Sequence, residues 1–304
     1  MKKAKYVLAS VMLLSVLSGC KDASAKLKDS GTALFSVGSK TVTKGDVYSV
    51  MNSMDGASGA VSSATKYISS KEIEVTDEMK QNAQSTLESY LAYYGDSFTA
   101  YLEQNGMTQD EYVADYLIPS LQASELVKKY ITDNFAALVE RYKPVKATIL
   151  TFTASEDADA ALSELKDGSK SAAEAASGHN SSSNGQSQLY TTETSLDSLV
   201  RTVLTSSKPE DGWVKTPNAD GSEFSLIHVD NADTESFRDE IITALAGITN
   251  VSSDSSTYWF KKYGFHIYDK TLYDAISADY PDYLVQDIKE AAETETAETE
   301  TAEK

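Results

Sequence analysis

The sequence predicts an α+β protein, mainly helical, with a small α+β domain inserted into the helical part. Two patterns carry the prediction. Through residues 43–143 apolar side chains recur three and four positions apart, the period of a helix with one buried face. Between residues 145 and 231 the pattern changes to short alternating, β-branched runs separated by helical stretches, and helical spacing resumes after residue 232. A third observation bounds the whole. A chain of 304 residues suggests roughly two domains, and a single cysteine excludes an intrachain disulfide, so the fold must rest on buried apolar surface. At 41% hydrophobic and 9% aromatic residues the chain has the side chains for it.

Residues 31–144 form the predicted N-terminal helical domain. It opens on a short strand, Thr32-Ala33-Leu34-Phe35-Ser36-Val37, turned by Gly38. Thr43 and Asp46 make a variant of the capping box with Asp in place of Glu, and Val47, Val50, Met51 and Met54 follow at helical spacing. The Gly-, Ser- and Ala-rich residues 55–63 are expected to break that helix. Thr76 is the predicted N-cap of a longer one, whose face carries Leu87, Tyr90, Leu91 and Tyr94. Gly95 interrupts it, Phe98, Tyr101 and Leu102 continue the face, and Asn105-Gly106 stops it. Thr108-Gln109-Asp110-Glu111 is a full capping box that starts a helix carrying Tyr112, Tyr116, Leu117, Leu121 and Leu126, with Pro119 expected to kink it. Residues 132–142 are a further helix, closed by Lys143-Pro144.

The inserted domain, residues 145–231, reads as a strand over 145–152, a helix over 155–165 ended by Gly168, and a short helix over 171–176. A Ser/Asn/Gly loop over 177–187 follows, then a helix over 196–204 and strands over 213–216 and 224–229 with a turn at Asp220-Gly221. Residues 232–283 return to the helical domain, with a helix over 235–246, a strand through Phe265-His266-Ile267-Tyr268 and a last helix holding Leu272, Tyr273 and Ile276. Residues 284–304 are the predicted disordered acidic tail, since 290–304 repeats Glu, Thr and Ala with six glutamates and almost nothing apolar.

At the other end, Lys2, Lys3 and Lys5 precede an apolar run of 12 residues, 6–17, too short to span a bilayer, and small residues follow. That pattern is a secretory signal covering residues 1–19. The formal charge of the chain is −19; losing those three lysines and no acid leaves −22 on residues 20–304. So acidic a chain does not track phosphates, so nucleic acid is a poor partner. An anionic membrane surface repels it as well. No later stretch reaches 18 consecutive apolar residues, so no transmembrane helix is predicted.

The ending Leu17-Ser18-Gly19-Cys20 resembles the lipobox of bacterial lipoproteins. The resemblance implies cleavage between Gly19 and Cys20, a covalent diacylglyceryl lipid on Cys20, and residues 20–30 as a tether. It also implies a mature protein anchored by that lipid at the extracytoplasmic face of the cell membrane. Behind the lipobox, the order of helical region, inserted α+β domain and helical return is similar to the PrsA foldases of Gram-positive bacteria. The segment Val37-Gly38-Ser39-Lys40-Thr41-Val42-Thr43-Lys44-Gly45-Asp46 resembles the strand-turn-helix "V-G-x-x-x-I-T-x-x-D" that opens the SurA/PrsA N-terminal domain. Tyr101-Leu102 and the capped Gly106-Met107-Thr108-Gln109-Asp110-Glu111 fit the same family.

Residues 145–231 resemble a parvulin peptidyl-prolyl isomerase domain in which both histidine positions are replaced. The opening strand "A-x-H-I-L" of parvulins stands here as Lys146-Ala147-Thr148-Ile149-Leu150, and the closing "G-Y-H-I-I" as Glu223-Phe224-Ser225-Leu226-Ile227. Thr148 and Ser225 therefore hold the two positions, and the family's "G-G-D-L-G" is missing. Hydroxyls lack the imidazole network and its shape. The resemblance then implies a chaperone for unfolded or partly folded secreted proteins, with a parvulin-like domain that does not catalyse. An isomerase with an altered site and a solute-binding lipoprotein are the alternatives. Gly264-Phe265-His266-Ile267 also resembles the closing motif, but pairing it with Thr148 stretches the domain across a long Ser-rich segment.

Other chemistry finds little footing. His179, His228 and His266 lie in separate elements without metal-ligand spacing, so no metal and no cofactor beyond the lipid is expected. No nucleophile elbow or phosphate loop is present, and residues 218–223 fail the ligand spacing of a calcium loop. The chain does carry 18 tyrosines. Tyr93, Tyr94, Tyr112 and Tyr116 are the candidate peptide-binding residues, because a phenol offers an extended chain both apolar area and a hydroxyl. Packing at the edge of the core is the other reading of each.

Overall fold

The computed structural model describes residue 23 and residues 25–286. Cys20, the signal segment and residues 287–304 of the predicted tail lie outside the described residues; residues 284–286, the start of that tail, are ordered instead, with Leu284 packed on the Ala57 cluster and the Val285 N–H donating to the Phe265 carbonyl at 3.3 Å. Among those described, no helix is long and apolar enough to cross a membrane. The fold is α+β and mainly helical.

The chain opens with a two-stranded antiparallel ladder, β1 (Ala33–Val37) and β2 (Lys40–Thr43), with Leu34, Phe35 and Val37 of β1 exposed. Helix α1 (Lys44–Glu72) starts at the predicted capping box: the Thr43 amide donates to Asp46 at 2.8 Å and the Asp46 amide donates back to the Thr43 hydroxyl. The expected break falls at the first of residues 55–63: Asp55 leaves helical geometry at φ −158° and ψ 21° and kinks the helix, which resumes beyond it. The small residues there serve packing, since Ala57 is buried against Ile267 and Ile276 with Ala60 beside it.

Next come α2 (Asp77–Tyr94), N-capped by Thr76 as predicted, α3 (Asp96–Gln104) and the single turn α4 (Gln109–Tyr112), which carries the predicted Thr108/Glu111 box. A π-turn over Val113–Leu117 leads into α5 (Ile118–Asp133), and α6 (Phe135–Tyr142) follows. The strands β3 (Val145–Phe152), β4 (Gln188–Tyr190), β5 (Val214–Pro217) and β6 (Phe224–Asn231) form one antiparallel sheet in the order β4-β3-β6-β5. Between them lie α7 (Ser155–Asp167), α8 (Ala172–Gly178) and α9 (Ser198–Ser206). The chain continues with α10 (Arg238–Ala246), α11 (Thr249–Lys262) and α12 (Lys270–Asp279).

The strand expected at residues 265–268 is absent. Its backbone is instead paired by a side chain: the Gln286 amide accepts from the Ile267 N–H at 2.6 Å and donates to the Ile267 carbonyl at 2.8 Å. A primary amide presents the same donor and acceptor as a neighbouring strand, so it satisfies the extended backbone without a ladder. Tyr258, Trp259 and Phe260 lie in α11, a helix that the Ser/Thr-rich residues 249–257 hide from propensity.

The chain divides into two compact units, residues 1–122 with 256–304 and residues 123–255. In the first, Leu87, Phe98 and Leu102 form one core, and the Ala57 cluster forms another. The second unit contains the predicted insert and more. One face of its sheet buries Leu150, Phe152 and Leu226 against α7 and α8; the other buries Ala147, Ile227 and Val229 against α9. Beside it Ile131, Phe135, Leu138 and Tyr142 pack on Phe237, Ile241, Leu245 and Val251, which explains why residues flanking 145–231 belong to the same unit.

Candidate functional site

The two residues at parvulin histidine positions do not meet. In the β3–β6 ladder Thr148 pairs with His228, while Ser225 pairs with Thr151. Successive side chains of a strand point to opposite faces, so Thr148 lies on the α7/α8 side and Ser225 on the α9 side. Both are buried. Thr148 and Ser225 thus stand on opposite faces of the sheet and share no site.

Thr148 belongs instead to a polar network that sequence reasoning missed. Along β6 the pairing skips from Val229 to Asn231, which leaves Asp230 as the extra residue of a bulge. Its re-aimed carboxylate accepts from the Thr148 hydroxyl at 2.8 Å and the Ser187 hydroxyl at 2.6 Å on Oδ2, and meets His228 Nδ1 at 2.7 Å on Oδ1. A carboxylate only accepts, so the imidazole donates through Nδ1 and its Nε2 is the nitrogen left over. Trp213 lies against the same ring at 5.3 Å. Ser187 donates to the carboxylate, so this is no nucleophile–base pair; it is a hydrogen-bonded knot that fixes the imidazole. His228-Val229-Asp230 was the one legible signal. Burial, and behind it the Asp230 charge, raises the nearby Tyr190 phenol's pKa.

The four predicted tyrosines, in contrast, come together on the first unit. Tyr93 and Tyr94 stand edge to face at 4.7 Å, Tyr94 meets Tyr90 at 6.1 Å, and Tyr90 meets Tyr112 at 6.5 Å. Tyr112 stacks on Tyr116 at 5.4 Å and 15°. Phe98 lies 5.2 Å from Tyr112 and stacks on Tyr101. The network is anchored from below by buried Phe98 and open above: Tyr93 is 82% exposed, Tyr94 55%, Tyr116 50% and Tyr101 45%. Tyr112 sits between, its phenol pKa raised by burial. Such rings offer a broad, stiff, amphipathic contact surface.

The π-turn Val113–Leu117 holds Tyr116 in that face, and its cause is Pro119. Proline has no N–H to return to the carbonyl four residues back, that of Asp115. Lys66 supplies the missing donor, reaching the Asp115 carbonyl at 3.3 Å and its carboxylate at 2.9 Å. Where a kink was expected, the helix widens by one residue. Beside the turn a groove of about 810 Å³ runs between α1 and α5, lined by Tyr67, Ile73, Ala114, Ile118 and Gln122. Gln122 is buried and donates to the Ile73 carbonyl at 2.6 Å.

Among the described residues no three His, Cys, Asp or Glu side chains gather to hold a metal. His179 is bound to Glu164 at 2.7 Å, and that carboxyl is held below its usual range by hydrogen bonds from Lys170 first and His179 second.

No family model matches the sequence. The chain is 27% identical over 174 residues to the "Foldase protein PrsA" of Streptococcus equi subsp. zooepidemicus strain H70, covering 55% of this chain and 51% of that protein. The PrsA of strain MGCS10565 matches to the same extent. The chain thus spans about half the length of the curated relatives it matches. Among solved structures, PrsA of Streptococcus pneumoniae aligns with 83% of this chain and all of its own, at 16% identity and a TM-score of 0.41. PrsA of Bacillus cereus aligns with 82% of this chain and 98% of its own, at 14% identity and a TM-score of 0.46. What this chain resembles in sequence is the PrsA type of foldase.

Proposed function

We propose that this chain is an extracytoplasmic foldase that holds unfolded or partly folded secreted proteins on the aromatic face of its first unit. Cys20 carries the lipid that keeps it at the membrane, and the parvulin-like part is a non-catalytic accessory. The observation that carries the reading is the convergence of Tyr93, Tyr94, Tyr112 and Tyr116 into one exposed ring network. Exposed aromatic area at this density suits weak, sequence-tolerant contact with extended chains. The named relatives are foldases, which agrees with this use. Among its described residues the first unit has only a two-stranded ladder, which disfavours a solute-binding protein with two α/β lobes.

Removing two exposed rings, Tyr93→Ala with Tyr116→Ala, tests it. Suppression of aggregation of a denatured secreted protein by the full chain is expected to weaken about fivefold, the effect of losing about 1 kcal/mol of binding. Thermal stability is expected to stay near wild type because both side chains are exposed. Undiminished suppression by a folded double variant would sink the assignment of the site.

A further inference from the structure

Residues 81–116, which contribute every ring of the aromatic face, contain Glu88, Asp96, Glu103, Asp110, Glu111 and Asp115 and not one lysine, arginine or histidine. All six carboxylates are on exposed residues. One base from outside the segment, Lys66, reaches in, and it is bound to Asp115. The open rings Tyr93, Tyr94, Tyr101 and Tyr116 therefore sit among fixed negative charge.

We infer that the preferred occupant of this face is an extended polypeptide segment carrying arginine or lysine, with arginine ahead of lysine. The inference rests on the reading of the aromatic face as the client-holding surface and adds the class of client. The face of a tyrosine ring is the negative pole of its quadrupole, so it attracts a cation laid over it. A planar guanidinium also stacks on the ring, and the apolar stem of either side chain covers aromatic area while its head meets a carboxylate. The surrounding acids add an attraction that reaches about 8 Å in physiological salt. The same charges act against the other occupants of an exposed aromatic face. A second copy of the chain would bring like charge to like charge, and an acidic client segment would be repelled.

The experiment compares three peptides of one aromatic and aliphatic framework, with arginine, glutamine or glutamate at the variable positions. Binding to the full chain is followed by fluorescence anisotropy at low and at physiological salt. The arginine peptide is expected to bind about tenfold more tightly than the glutamate peptide at low salt, with the gap shrinking as salt rises. The net charge of the whole chain also favours cations, so a local variant separates the two sources. Asp96→Asn, Glu103→Gln and Asp110→Asn together are expected to narrow the gap between the arginine and glutamine peptides at low salt, leaving the part the rings supply. Glu156→Gln, Glu193→Gln and Glu210→Gln, equal in charge but on the second unit, are expected to leave the preference intact. Equal loss in both triple variants, or equal binding of all three peptides, overturns the inference. If the peptides bind alike yet Tyr93→Ala with Tyr116→Ala still weakens them, only the client class falls. If that double variant binds as wild type, the client-holding reading falls with it.

Discussion

Asp230 shows how much one bulged residue can organise. Its carboxylate takes donors from Thr148 on β3, from Ser187 in the Ser/Asn loop and from His228 on its own strand. Asp230→Ala leaves the buried Thr148 hydroxyl without its acceptor and frees the imidazole. A loss of about 1–3 kcal/mol in urea unfolding is expected, with Asp230→Asn milder because it keeps an acceptor. A loss below about 0.5 kcal/mol in Asp230→Ala would mean that the knot adds nothing beyond ordinary surface contacts. Little of this was legible in the sequence. His228 and Asp230 are two apart in a strand, a readable pair, but Thr148 lies 82 positions away and only the register delivers it. Gly185 is a comparable case in the Ser/Asn loop. Its φ is +70°, and a Cβ there would come within 2.5 Å of the Ala172 backbone, so a segment read as low-complexity filler holds a position that only glycine fills.

Helix starts were the most legible elements, because a cap is decided within four residues. The boxes expected at Thr43/Asp46 and Thr108/Glu111 form, a third at Ser171/Glu174 caps the helix expected there, and in each the carboxyl is held below its ordinary range, first by the backbone N–H of the capping residue. A depressed folded pKa means stability that is present above the unfolded value and lost as pH falls through the folded one. Replacing all three with Asp46→Asn, Glu111→Gln and Glu174→Gln removes that titration. The midpoint difference between wild type and the triple variant in thermal unfolding is therefore expected to shrink from pH 7 to pH 3. A difference that stays constant over that range would show that the caps carry no pH dependence. Elements settled by distant contacts were less legible. The glycine and serine of residues 55–63 argue for a break, and the helix does kink at Asp55, but burial of Ala57 against Ile276 lets it resume at once. The alternation of residues 265–268 argues for a strand, but the partner is the Gln286 amide.

The whole molecule combines an acidic helical unit with an open aromatic face and a second unit around a four-stranded sheet. The fold class followed from where hydrophobic periodicity switches between helix and strand. The aromatic face was legible as tyrosine clusters, but that those clusters join depends on α2, α3 and the π-turn meeting in space. That Thr148 and Ser225 stand on opposite faces was not legible, because two strand positions 77 residues apart share a face only if register and parity agree. At this scale the expectation is that the chain does not accelerate proline-limited refolding of a model protein, and that Thr148→Ala and Ser225→Ala leave that rate unchanged. Acceleration that either substitution, or His228→Ala, abolishes would restore the isomerase.

The π-turn before Pro119 also sets a phase. A turn that holds one residue more than an α-turn makes everything before it lag by close to one helical step, about 100° of rotation about the axis. Tyr112 and Tyr116 thus share a direction that an unbroken helix would have turned away from the rings of α2. The aromatic face is in this sense a product of angular bookkeeping: Pro119, which contributes no ring to it, decides which way the rings on one side of it point.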